Sequence, residues 1–125
     1  MKKLFTLGRK IIPTRLFKAL QPFWHLIWVF VASFIYGYPA KNMMVIGVTG
    51  TKGKTSTANY IWSVLTASGY KTGLIGTANI RIGEKELLNT YHMTMPGPFI
   101  FQKLLSDIKK AGCTHVVVEI TSEGI

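Results

Sequence analysis

Gly50-Thr51-Lys52-Gly53-Lys54-Thr55-Ser56 places two glycines, two lysines and three hydroxyls within seven residues, a combination suited to gripping a nucleotide triphosphate. Glycine lets a backbone pass close to phosphate oxygens, and successive N–H groups can converge in one concavity at the positive end of a following helix. In that arrangement Lys54 reaches toward the β/γ-phosphates and the Thr55 hydroxyl is placed to ligate Mg²⁺. The strict form of such a loop, G-x-x-x-x-G-K-[ST], has its first glycine where this chain has Val48. What remains is the shorter T-G-T-x-G-K-T-S, so the flanking elements must decide between a phosphate loop and a glycine-rich turn without a ligand.

Those elements are the ones a phosphate loop needs. Met43 to Val48 is an apolar, β-branched run suited to a buried parallel strand. After the loop, Ala58, Ile61, Trp62 and Leu65 recur at i, i+3, i+4 and i+7, and Gly69 stops the pattern as a helix C′ residue does. Lys71 to Thr77 reads as a second strand, and Ala78 to Ile82 with Glu86 to Asn89 reads as a hairpin around Gly83-Glu84-Lys85. A break at Thr94-Met95-Pro96-Gly97-Pro98 precedes a helix with Phe101, Leu104, Leu105 and Ile108 inward and Gln102, Lys103, Asp107, Lys109 and Lys110 outward. Gly112 ends that helix, and Thr114 to Thr121 forms an apolar strand. Strands alternating with helices predict a three-layer α/β fold, a mostly parallel sheet of the P-loop type flanked by helices, with ligands at the carboxyl edge of its strands.

Glu119 is the second residue with chemistry to offer. A carboxylate directly after Val116-Val117-Val118 on a buried strand is costly unless a cation or donors meet it. A strand end there would face the loop, which suggests a shared Mg²⁺ with Thr55. The competing reading is a side chain that reaches solvent at the strand tip or pairs with a lysine. His25, His92 and His115 show no metal-ligand spacing, and none is assigned to a metal.

The formal charge of +10 is unevenly spread over the 125 residues. Residues 1–41 hold seven Lys or Arg and no acid, whereas the remainder holds eight against five acids. The basicity belongs to a tail rather than to a folded face with aromatic readers, so no nucleic-acid partner is expected. Cys113 is the single cysteine, which excludes an intrachain disulfide and is compatible with a reducing cytosol.

Phe23 to Tyr38 carries no formal charge and has aromatic residues near both ends. A full membrane span needs about 20 apolar residues. This run is shorter, although Leu16 to Leu20 could extend it across Pro22. A spanning helix with its cationic flank inside would send residues 42 onward out of the cell, away from ATP. The preferred reading is therefore a helix lying in the inner leaflet, with contact through residues 16–38, Lys and Arg on anionic headgroups, and Trp24 and Trp28 at the interface. A cleaved signal peptide, and a helix packed on protein instead of lipid, are the other readings of the same residues. Pro39-Ala40-Lys41-Asn42 reads as the linker between this segment, 1–41, and the globular part, 42–125.

Four stretches in order, Val45 to Ser56, Thr72 to Thr77, Thr94-Met95-Pro96 and Glu119 to Ser122, resemble the ATP-binding central domain of the Mur ligases, most of all the branch that adds a third amino acid. The resemblance covers about residues 43–125. It implies an ATP-dependent amide-forming ligase of peptidoglycan precursor synthesis, which activates the carboxylate of a UDP-N-acetylmuramoyl-peptide as an acyl phosphate and transfers it to an amino acid. By the same resemblance Gly50, Thr51, Lys52, Gly53, Lys54, Thr55 and Ser56 hold ATP, and Lys54 and Glu119 are catalytic. Thr55 and Glu119 hold Mg²⁺, and Thr94, Thr121 and Ser122 contact the UDP-muramoyl-peptide. The chain departs from the family pattern at Lys52, at Met93 and Met95, and at Thr121 and Glu123. It also stops at Ile125, before the family's modified lysine and amino-acid-receiving domain. A truncated or fragmentary ligase that does not complete ligation by itself is therefore expected, working in the cytoplasm at the inner membrane face. A folate polyglutamylating type of ligase and a membrane-associated nucleotide-binding module without ligase activity are the alternatives.

Overall fold

The computed structural model describes residues 14–89 and 97–121. In chain order the elements are helix α1 (Thr14–Ile35), strand β1 (Met44–Val48), helix α2 (Lys54–Ala67), strands β2 (Thr72–Ile75), β3 (Asn79–Ile82) and β4 (Lys85–Leu88), helix α3 (Pro98–Lys110) and strand β5 (His115–Glu119). The five strands form one sheet in the order β1-β5-β2-β3-β4. β5 lies parallel to both β1 and β2, whereas β2–β3 and β3–β4 pair antiparallel. The result is the expected α/β architecture with a mostly parallel sheet and helices on its faces, preceded by an apolar helix.

Alternation along the strands explains why one helix lies on each face. Side chains at successive strand positions point to opposite sides. Leu74 and Val117 join Val48 and Ala58 under α2, with Ile61, Trp62 and Leu65 closing over them. Their neighbours Ile75, Val116 and Val118 point the other way and meet Leu104, Leu105 and Ile108 of α3. The apolar stripes of both helices thus bury what their spacing predicts. Gly69 and Gly112, both at positive φ, follow the helix ends.

The strands are shorter than their apolar runs. The second strand ends at Ile75, so Gly76 and Thr77 belong to a turn, and the last strand ends at Glu119 rather than Thr121. The hairpin pairs Ile82 with Lys85, which makes its connection a two-residue turn at Gly83 and Glu84.

The reach of the N-terminal helix across Pro22, which the sequence leaves open, is settled, and one expectation about a helix needs correction. Pro22 does not divide the N-terminal segment: α1 is one helix of 22 residues with Pro22 inside it, about 33 Å long at 1.5 Å per residue. Gln102 does not face out either. It is half-buried, and its Oε1 is shut away from solvent without a hydrogen-bond partner among the described residues. The reason is a second buried side on α3. Phe99, Gln102 and Ser106 recur at i, i+3 and i+7, and the Phe99 ring lies 5.7 Å from that of Trp28, so α1 lies along that side. Ala32 of α1 and Ser106 of α3 are both buried.

Candidate functional site

β5 enters the sheet between β1 and β2, in a register that sets Glu119 opposite Val48 and Val118 opposite Ile75. Three strand ends therefore meet at one carboxyl edge. The loop leaving β1 and the first turn of α2 rise from that edge beside Glu119. Together Thr51, Lys52, Gly53, Lys54, Thr55, Ser56, Thr77 and Glu119 line a hollow of about 380 Å³.

The loop holds its shape through glycine and through its own lysine. Gly53 caps α2 in the left-handed region at φ 78, a conformation that costs other residues about 1 kcal/mol or more. Lys54 folds its ammonium back to donate to the Gly50 carbonyl at 2.9 Å. That bond closes the loop and leaves the positive charge beside the hollow, at the N-terminal end of α2, where an anion is favoured.

Glu119 is 1 % exposed, so its partners matter. Thr55 Oγ1 donates to Oε1 at 2.9 Å, and the Thr77 backbone N–H donates to Oε2 at 2.6 Å. The ion pairs among the described residues, Arg81–Glu86 and Lys103–Asp107, do not involve it. A carboxylate can accept about four hydrogen bonds, so two neutral donors leave it with acceptor capacity toward the hollow. A buried carboxylate and a hydroxyl are hard oxygen donors, and an Mg²⁺ bound through one or two protein groups and completed by phosphate suits them.

Sequence reasoning brings Thr51 to Ser56 and Glu119 into this hollow. Gly50 touches it indirectly, through its carbonyl on Lys54. Thr121 is half-buried beyond β5 and does not line it. Thr94 and Ser122 lie outside the described residues. Thr77 was missed as a site residue, and its main-chain donor is what seats Glu119. Gly76 matters for the same reason, since a Cβ there would stand 2.8 Å from Glu119 Oε2. The residue type at 77 carries no signal for a backbone contact, although a glycine at the end of an apolar strand marks a close approach.

Behind the hollow runs a polar relay. Asn59 donates to the Thr55 carbonyl at 2.8 Å, and Asn79 donates to Asn59 Oδ1 at 3.4 Å and to Glu86 Oε1 at 2.8 Å. Glu86 also pairs with Arg81, whose guanidinium stacks 4.0 Å above the Trp62 ring. The hairpin is thereby tied to the first turn of α2.

Comparison with known proteins shows the family. The model of the Mur ligase middle domain matches residues 48–125, more than half of the chain. The chain belongs to the Mur ligase family. Among its relatives is the UDP-N-acetylmuramyl-tripeptide synthetase of Roseiflexus sp. (strain RS-1), 40 % identical over 95 residues, which are 76 % of this chain and 19 % of that protein. The UDP-N-acetylmuramoyl-L-alanyl-D-glutamate--2,6-diaminopimelate ligase of Cytophaga hutchinsonii is 40 % identical over 92 residues, 74 % of this chain and 18 % of the relative. The UDP-N-acetylmuramyl-tripeptide synthetase of Treponema pallidum is 36 % identical over 94 residues, 75 % and 17 % respectively. This Mur ligase chain thus spans less than a fifth of the length of these relatives.

Proposed function

We propose that this chain carries the nucleotide half-site of a cytoplasmic ligase that joins an amino acid to a UDP-N-acetylmuramoyl-peptide at the expense of ATP. The observation that carries the reading is the meeting of Thr55 and Glu119, 64 residues apart in sequence and 2.9 Å apart in space, at the mouth of the phosphate loop. The names of the relatives favour a muramoyl-peptide over a folate as the acceptor of the amino acid.

In this reading the chain's own groups bind and orient. Backbone N–H groups from Thr51 to Ser56 and the Lys54 ammonium receive the triphosphate, and Lys54 exchanges its bond to the Gly50 carbonyl for phosphate oxygens. Thr55 and Glu119 would hold Mg²⁺, which supplies neutralisation of the charge that builds on phosphate oxygens during transfer to the substrate carboxylate. Thr77 keeps the Glu119 carboxylate aimed, and the Asn59 bond to the Thr55 carbonyl fixes the turn that presents the hydroxyl. Thr94, Thr121 and Ser122 remain the proposed contacts to the muramoyl-peptide.

Calorimetric titration of the full chain with a non-hydrolysable ATP analogue tests this. The wild type should bind in an Mg²⁺-dependent manner. Lys54→Ala should bind about tenfold to a hundredfold more weakly, the worth of a hydrogen bond to a charged group. Glu119→Gln should retain Mg²⁺-free binding and lose most of the enhancement by the metal. Equal, metal-independent binding by all three proteins would remove the assignment.

A further inference from the structure

α1 presents two unlike sides. Gln21, His25, Trp28 and Ala32 recur at spacings of four, three and four, and this row meets α3 through the Trp28 ring on Phe99 and holds the buried Ala32. On the opposite side Leu16, Leu20, Phe23, Ile27, Phe30 and Phe34 form an unbroken apolar row, 40–74 % exposed. Trp24, Leu26 and Ile35 are also exposed and widen that surface well past the narrow seam of a paired coiled coil.

Charge selects the occupant. Arg15 and Lys18 are exposed at the start of α1, and residues 1–41 contain seven cations and no acid. Two copies paired in parallel along the row would bring these cations together, and in either direction neither α1 has a carboxylate to offset them. An anionic lipid surface offsets them and accepts the apolar row at once. The side facing α3 selects the orientation. α1 is apolar and long enough to cross a bilayer, but a crossing would draw the first turn of α3 and the half-buried Gln102 beside it toward hydrocarbon.

We propose that α1 is an in-plane anchor on an anionic bilayer surface, with the Leu16-to-Phe34 row inserted and the Ala32 row carrying the sheet. The connection to β1 makes the anchor stiff. Tyr38 N–H donates to the Ser33 carbonyl at 2.7 Å, Lys41 N–H to the Tyr38 carbonyl at 3.0 Å, and Pro39 is fully buried. The phosphate loop therefore holds one direction relative to the membrane. This inference stands whatever the loop binds.

Co-sedimentation of the full chain with phosphatidylcholine vesicles, with and without phosphatidylglycerol, tests it across a salt series. Binding should be about tenfold or more stronger with phosphatidylglycerol and should weaken as salt rises. The Phe30→Glu/Phe34→Glu variant should lose vesicle binding by about tenfold or more and keep its far-UV spectrum, since both side chains are mostly exposed. Arg15→Glu/Lys18→Glu, which leaves the apolar row intact, should reduce the preference for the anionic lipid several-fold. Brominated lipids should quench tryptophan fluorescence from shallow positions only. Salt-insensitive binding that survives alkaline extraction would show a spanning helix and overturn the in-plane anchor. Equal binding to both vesicle types, or a dimer without lipid that the phenylalanine variant dissociates, would overturn it as well.

Discussion

β5 and α1 are both near-continuous apolar runs, and they end in opposite environments. Val116, Val117 and Val118 are at most 2 % exposed, sealed between α2 and α3 with β1 and β2 on either side. Phe30 and Phe34 of α1 are 65 % and 74 % exposed. The difference lies in the number of neighbours an element has room for. A central strand is covered on two faces and two edges, whereas α1 meets the rest of the chain along one row. Apolar composition thus supplies the drive to leave water, and topology decides whether protein or another phase receives it.

Truncation at matched apolar sites sharpens that contrast. Ile75→Ala, in the strand beside β5, should cost about 2–5 kcal/mol in denaturant unfolding, because the cavity lies where α3 and the sheet cannot collapse into it. A smaller loss, about 1–3 kcal/mol, is expected for Gly76→Ala, whose Cβ must displace Glu119 Oε2 and the Asn79 carbonyl. That variant should also weaken Mg²⁺-dependent nucleotide binding, which titration would show, since it disturbs the carboxylate that the Thr77 amide seats. Phe34→Ala should change unfolding stability by no more than about 0.5 kcal/mol despite removing a larger side chain. A loss at Phe34 comparable to that at Ile75 would break the contrast and mean that protein covers α1 after all.

Much of the fold was legible in advance, for local reasons. The stripes of α2 and α3 repeat at helical spacing within one element, and their glycine stops follow directly. The glycine-rich turn before α2 was legible for the same reason: Gly53 supplies the left-handed φ at the start of that helix, whereas Val48 stands where the strict pattern has its first glycine. Gln102 misled because one helix can have two buried sides, and periodicity along α3 reports only the stronger. The reach of α1 across Pro22 was left open because proline weakens a helix locally, while packing against α3 lies outside any local window.

The residue types around Gly53 set what chemistry the loop can offer, since glycines, an ammonium and a hydroxyl act through their own bonds and immediate neighbours. Where Glu119 sits relative to that loop was settled by the insertion of β5 between β1 and β2, a pairing across more than sixty residues. The same holds for the Thr77 amide on Glu119 and for the side of α1 that is left bare. Such contacts depend on which arrangement buries both sheet faces at once, and that competition is decided by the whole chain, not by any stretch of it.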